Sequence, residues 1–193
     1  MPRTAHRIDA ALLAATLLAL PAHAQKLLPA QSEVTFVSRQ MGVPVEGRFK
    51  RFDVQITLDP RQPEAGKVGI VIDTASASFG SPEADAEVPK PTWFDAARFP
   101  RASFQSSAIK ALGGGRFEVS GMLSLKGQSR DLVVPVVLVQ SGAAAAQSTT
   151  ATGSFNVKRL DFRIGEGDWA DTSMVANDVQ VKFKLSFAGM APL

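Results

Sequence analysis

A chain of 193 residues, 45% hydrophobic and 20% charged, has the composition of one globular domain rather than of a disordered segment. It holds no cysteine and no tyrosine, and its two histidines, His6 and His23, precede residue 25; beyond that point no Ser-His-Asp or Cys-His nucleophile can be assembled, nor an imidazole- or thiolate-held zinc or copper site. The 21 basic and 18 acidic residues are scattered, with Arg48-Phe49-Lys50-Arg51 the one tight basic group, so the charge carries no nucleic-acid footprint.

Residues 1–24 begin with Arg3 and Arg7, continue through an apolar run from Ala10 to Leu20, and end in Pro21 and the small-x-small exit Ala22-His23-Ala24. This is the layout of a signal peptide cleaved after Ala24, which predicts export to the periplasm and a mature domain of residues 25–193. The apolar run is too short to cross a bilayer, where about 20 residues are needed, so no membrane span is expected after cleavage. Without Arg3, Arg7 and Asp9 the mature chain keeps 19 basic and 17 acidic residues. With no disulfide available, a hydrophobic core must hold it. The enzyme chemistry left open is a carboxylate pair, a Ser-Lys nucleophile or a cofactor.

Period-two alternation then dominates the chain. Val34–Arg39 reads as a strand, followed by Phe52, Val54, Ile56 and Leu58 alternating with Asp53, Gln55 and Thr57. Lys67–Ile72 is next. Residues 81–98 interrupt the pattern: Pro82–Glu87 suits a short helix, a second helical turn is expected at Thr92–Ala97, and Trp93, Phe94 and Phe99 would cover one end of the fold. Strands resume at Ala102–Ile109, Phe117–Leu125, Asp131–Val139 and Ala151–Val157. The alternation is faultless from Val179 to Phe187. Turn material such as Asp59-Pro60-Arg61-Gln62-Pro63, Gly113-Gly114-Gly115 and Lys126-Gly127-Gln128 separates the strands, and Gly142–Gln147 reads as a loop.

Eight strands joined by short turns predict an all-β, eight-stranded, antiparallel up-and-down barrel, because closure removes the two exposed edges of an open sheet. Such a barrel is either packed by its own side chains or holds one small ligand. The small inward candidates Gly47, Ala108, Gly121 and Gly153 leave space unless a neighbour fills it, and periodicity leaves both outcomes open.

Several motifs occur in one order along the mature chain. Ser32-Glu33-Val34-Thr35-Phe36 is followed by Met41-Gly42-Val43 and Gly47-Arg48-Phe49. Trp93-Phe94-Asp95 precedes Phe99-Pro100 and Ala102-Ser103-Phe104. Gly121-Met122-Leu123-Ser124-Leu125-Lys126-Gly127 comes next, and then Arg159-Leu160-Asp161-Phe162-Arg163-Ile164-Gly165 and Asn177-Asp178-Val179. Together these resemble the YceI-like family, exported lipocalin-like barrels described as polyisoprenoid-binding.

The resemblance implies an apolar tunnel for an isoprenoid tail, such as that of ubiquinone or a polyprenyl phosphate, with no catalytic residue, metal or cofactor required. Burying each methylene is worth about 0.8 kcal/mol before ordering costs. Phe36, Phe104, Phe117, Phe155 and Phe183 are the expected lining, and Trp93, Phe94, Phe99 and Phe162 stand as lining or mouth residues, with ordinary core packing open for each. Where the family often carries a histidine in its first strand, this chain has Arg39-Gln40-Met41-Gly42. Gln40 cannot titrate, so head-group contact would be neutral or fall to Arg39, itself equally readable as a surface charge.

Arg159 and Arg163 are read either as a cationic tunnel end for a phosphate or quinone oxygen, or as a bridge between loops through Asp161 or Asp168. The acidic group Asp161, Glu166, Asp168 and Asp171 lacks the EF-hand order. The function expected is a periplasmic protein that holds an isoprenoid lipid for sequestration or transport, as monomer or homodimer, with an inner-membrane protein to load or unload it. Two alternatives stay open: a barrel-scaffold enzyme or stress factor using carboxylates near Asp161, and a packed barrel that binds a protein partner.

Overall fold

Half-buried strands need neighbours on both edges, and this chain supplies them almost wholly in sequence order. The computed structural model describes residues 25–143 and 147–193; the expected leader, residues 1–24, and the middle of the alanine-rich loop lie outside the described residues. Eleven strands are present among the described residues. They are β1 (Lys26–Leu27), β2 (Glu33–Gln40), β3 (Val43–Phe49), β4 (Phe52–Thr57), β5 (Lys67–Asp73), β6 (Ala77–Ser78), β7 (Arg101–Gly113), β8 (Arg116–Leu125), β9 (Gln128–Ser141), β10 (Ser148–Lys158) and β11 (Asp178–Ala188). Among the described residues one α-helix, α1 (Pro82–Glu87), lies between β6 and β7.

The eleven strands form one antiparallel sheet, ten of them in the order β4-β5-β7-β8-β9-β10-β11-β2-β3-β6 and β1 paired with β11 off this path. The eight expected strands return as eight staves, three of them broken. β1 and β2 both pair with β11, at Lys26↔Ala188 and Glu33↔Lys184, and a turn at Pro29–Gln31 separates them. β3 leads directly into β4, and β5 into β6. These two breaks lie side by side, since the Lys50 N–H donates to the Ser76 carbonyl at 3.0 Å and the Asp73 N–H to that of Arg51 at 3.1 Å. The sheet therefore closes: β3 pairs with β2, and next to β4 the Gln25 N–H reaches the Ile56 carbonyl at 3.1 Å while the Leu58 N–H reaches Gln25 Oε1 at 2.9 Å.

Inward side chains from every stave form the main core, with Val54, Phe104, Phe117, Leu138 and Phe187 among its buried members. A smaller aromatic cluster caps it around Phe36, with Phe49, Phe79, Phe94 and Val88. The small inward residues are covered by rings. A Cβ on Gly47 or Gly153 would collide with the ring of its direct cross-strand partner, Phe36 or Phe183, and one on Gly121 would meet Phe104. This is the pairing in which an aromatic shields a strand glycine. Ala108 differs from its expected inward place: a bulge between Ser106 and Ala108 shifts the phase of β7 and leaves Ala108 exposed.

Helix α1 forms where the sequence signals it. Ser81 accepts from the Ala84 N–H as N-cap, and Pro82 occupies the first turn. The second helical turn expected at Thr92–Ala97 is instead a run of hydrogen-bonded turns. Asp95 adopts φ +49°, outside the helical region, and its N–H turns back to the Lys90 carbonyl at 2.9 Å.

Candidate functional site: an apolar barrel cavity

Because side chains alternate along each stave, the residues that close the barrel also line its interior. They leave a cavity of about 120 Å³ whose wall is apolar apart from Ser103. On β8 the lining extends from Phe117 to Leu123, a stretch of about 20 Å at the usual rise per residue. A cavity with so few polar groups offers water almost no hydrogen-bond partner, so it favours hydrocarbon over solvent.

Phe104, Phe117, Phe155 and Phe183 stand in this wall, as expected of lining residues. The rest of the wall is largely aliphatic, with Ile56, Val119, Leu138 and Leu185 among it; alternation marked Ile56, Val119 and Leu185 in the sequence, whereas Leu138 lies in a nearly continuous apolar run. Phe36 lies instead in the aromatic cap, 5.1 Å from Phe49 and 5.2 Å from Phe79 between ring centroids, and Phe94 joins it through Phe49 at 6.0 Å. Trp93 packs against Trp169 at 5.5 Å. Phe99 covers Gly127 with the Arg98 guanidinium 5.3 Å away, and buried Phe162 has that of Arg130 at 5.9 Å. Arg39 and Gln40 are exposed beside the β2–β3 turn, Arg39 donating to the Gly42 carbonyl at 3.3 Å, and neither lines the cavity.

Arg159 is 3% exposed and does not form a cationic end to the cavity. Its five N–H groups all donate to carbonyls: Nε to Ala176, Nη1 to Ile164 and Gly165, Nη2 to Trp169 and Val175, at 2.6–3.1 Å. The loop-bridging alternative holds in kind, but through backbone oxygens rather than Asp161 or Asp168. Burial pushes the guanidinium pKa down, and the ring of carbonyl dipoles is what accommodates the charge. Arg163 pairs with Glu166 at 3.0 Å on the surface.

A second, polar pocket of about 350 Å³ lies between residues 91–99, the β8–β9 turn and residues 163–166. Lys126 is buried there, donating to the carbonyls of Pro91 at 2.8 Å and Arg163 at 2.6 Å, with Glu166 at 3.6 Å. Burial lowers the pKa of its ammonium, and Glu166 and Asp95 partly restore it. The acidic side chains do not converge on one point. Asp171 accepts from Ser173, which holds its carboxyl below the usual range, while Glu166 faces Arg163 and Lys126; among the described residues no three His, Cys, Asp or Glu are grouped to hold a metal.

The architecture defines a class: an antiparallel barrel with an apolar interior, capped at one end by aromatic side chains. The YceI-like domain profile matches residues 26–187, and the chain belongs to that family. Burkholderia cenocepacia BcnA, a solved structure, is 41% identical and superposes with a TM-score of 0.79 over 83% of this chain and 99% of its own. A polyisoprenoid binding domain from Saccharophagus degradans, described as implicated in plant cell wall breakdown, is 20% identical, with a TM-score of 0.69 over 88% of this chain and 98% of its own. A UPF0312 protein of Vibrio cholerae is 27% identical over 157 residues, 78% of this chain and 83% of the relative.

Proposed function

We infer that the protein is a periplasmic binding protein that holds an isoprenoid lipid, of the quinone or polyprenyl type, in its barrel for sequestration or transport. The apolar cavity carries this reading: its wall is built from side chains of every stave, and Ser103 is its one polar residue. Family membership supports it, as does the ligand class named for the Saccharophagus degradans domain. The leader-like residues 1–24 support the location. A prenyl tail needs no ion pair or catalytic group, and each methylene buried contributes about 0.8 kcal/mol. Binding without turnover also suits carboxylates that are dispersed or paired with cations.

Mass spectrometry of an organic extract tests this, using mature protein purified from a bacterial periplasm without detergent and an empty-vector preparation as control. A stoichiometric isoprenoid is the expected result. Its absence, together with failure to take up added ubiquinone or polyprenyl phosphate, would overturn the reading.

A further inference from the structure

A closed barrel needs a way in, and its hydrogen-bond ladders show where the wall is incomplete. The β9–β10 ladder runs from Ser141↔Ser148 only as far as Val136↔Gly153. Beyond it β9 stays paired with β8 down to Gln128, and β10 stays paired with β11 out to Lys158, but the two strands no longer pair with each other. Pro135 occupies the position at which the ladder stops. It has no N–H to donate, which is why proline is normally kept out of central strands. On the last rung, a Cβ on Gly153 would come within 2.5 Å of the Pro135 carbonyl, so the strands touch there through backbone alone.

The gap has fixed ends. Past its outer end, the Arg130 guanidinium donates to the Asp161 carbonyl at 3.0 Å and lies over Phe162, and that turn is held in turn by the five bonds of Arg159 and by Leu160 N–H to Asn177 Oδ1 at 3.0 Å. Between the ladder and this tie, residues 131–135 face residues 154–158 over about 16 Å. Leu132 and Val134 on one side and Phe155 on the other line the cavity, so this part of the wall is made of apolar side chains without a ladder. On the β9 side the outer surface is apolar too, with Val133 53% and Val137 40% exposed, while β10 presents Ser154, Asn156 and Lys158. Ladders end elsewhere as well, but there other groups meet the edge. β3 pairs with β6 only at Arg48 and Phe49, where the aromatic cap packs, the β5–β7 ladder stops at Gly69 with the Val68 N–H donating to Ser106 Oγ at 2.8 Å, and the edge between β4 and the first stave is spanned by the bonds of Gln25.

We propose that this seam is the portal through which a hydrocarbon tail passes side-on into the cavity, with Pro135 keeping it open and Phe155 as its inner gate. The proposal rests on the lipid-binding reading above and specifies the route for it. Were the register to continue, Val133 would face Asn156, both outward. Because the chain has no cysteine, a Val133→Cys/Asn156→Cys pair can be joined by a short bis-maleimide, with Val137→Cys/Thr152→Cys, opposite each other on the intact ladder, as control.

Stopped-flow fluorescence with retinol, an isoprenoid alcohol, reads uptake. Cross-linking the seam is expected to slow uptake and release together by at least tenfold at unchanged affinity, and cross-linking the control pair to change neither. Pro135→Val, which restores the missing donor, is expected to slow uptake and to extend amide-exchange protection into residues 154–158. Retinol that binds at the same rate with the seam joined, or that is slowed equally by both cross-links, would overturn the portal while leaving the binding reading in place. Failure of retinol and ubiquinone to bind the uncross-linked protein would overturn both.

Discussion

Arg159 places five N–H groups among five loop carbonyls that have no strand to pair with, so one side chain does what a ladder does elsewhere in the barrel. Removing it leaves those carbonyls unsatisfied in a buried place. Arg159→Met is therefore expected to lower stability by about 3 kcal/mol or more, read as a shift in the urea midpoint. Arg159→Lys should recover little of the loss, because an ammonium has three donors and no planar fork. In the sequence this arginine was a candidate for a ligand contact or for a bridge to a carboxylate. Its real partners are backbone oxygens, which every residue has, and no side-chain pattern marks them.

Helix α1 is six residues long, too short to be stable alone, and Asp85 fastens it to the sheet. Its carboxylate accepts from Ser78 Oγ at 2.6 Å and the Phe79 N–H at 2.7 Å, with Lys50 at 3.4 Å. These bonds, led by that from Ser78, hold its pKa below the ordinary value. A carboxylate lowered on folding stabilises the native state above its unfolded pKa of about 3.9, and that contribution fades as pH falls through the folded value. Asp85→Asn is thus expected to flatten the stability profile below about pH 4, measured as Tm against pH, with Asp53→Asn on an exposed strand face as control.

Alternation made the strands legible, and Ser81-Pro82 announced the helix. The interruptions of β3–β4 and β5–β6 were less so, because each is set by what the neighbouring stave does: Lys50 and Ser76 break together through a bond between residues far apart in the chain. The bulge that turns Ala108 outward has no local signature either. Tunnel-lining phenylalanines were recognisable where they fall on inward strand positions, as at Phe104 and Phe117. Phe36 also falls on one, yet the inner surface at that level belongs to the aromatic cap.

For the molecule as a whole, periodicity could not decide between a packed barrel and one that holds a ligand, since both present the same apolar face. What separates them is the volume left between the staves, which depends on how Phe104 and Phe183 lie over Gly121 and Gly153. Filling the space separates binding from folding. Ala151 lies in the cavity wall opposite Leu185 and Leu138 on its two neighbouring strands. Ala151→Leu is expected to change stability by less than about 1.5 kcal/mol, because the added methyls enter existing space, while weakening retinol binding at least tenfold in a fluorescence titration.

Closure joins Glu33 to Lys184 and Lys26 to Ala188, so the first stave of the barrel finds its partner in the last. A ribosome makes those partners far apart in time. Until the final strand is released, β2 and β10 each present a bare edge, and the entropy of closing a loop of nearly the whole chain is met in one late step. Non-local pairing of this kind makes for slow folding, during which the apolar alternation that builds the cavity is exposed to other chains. The architecture that encloses an apolar interior thus makes the nascent protein itself a natural client for a holding chaperone.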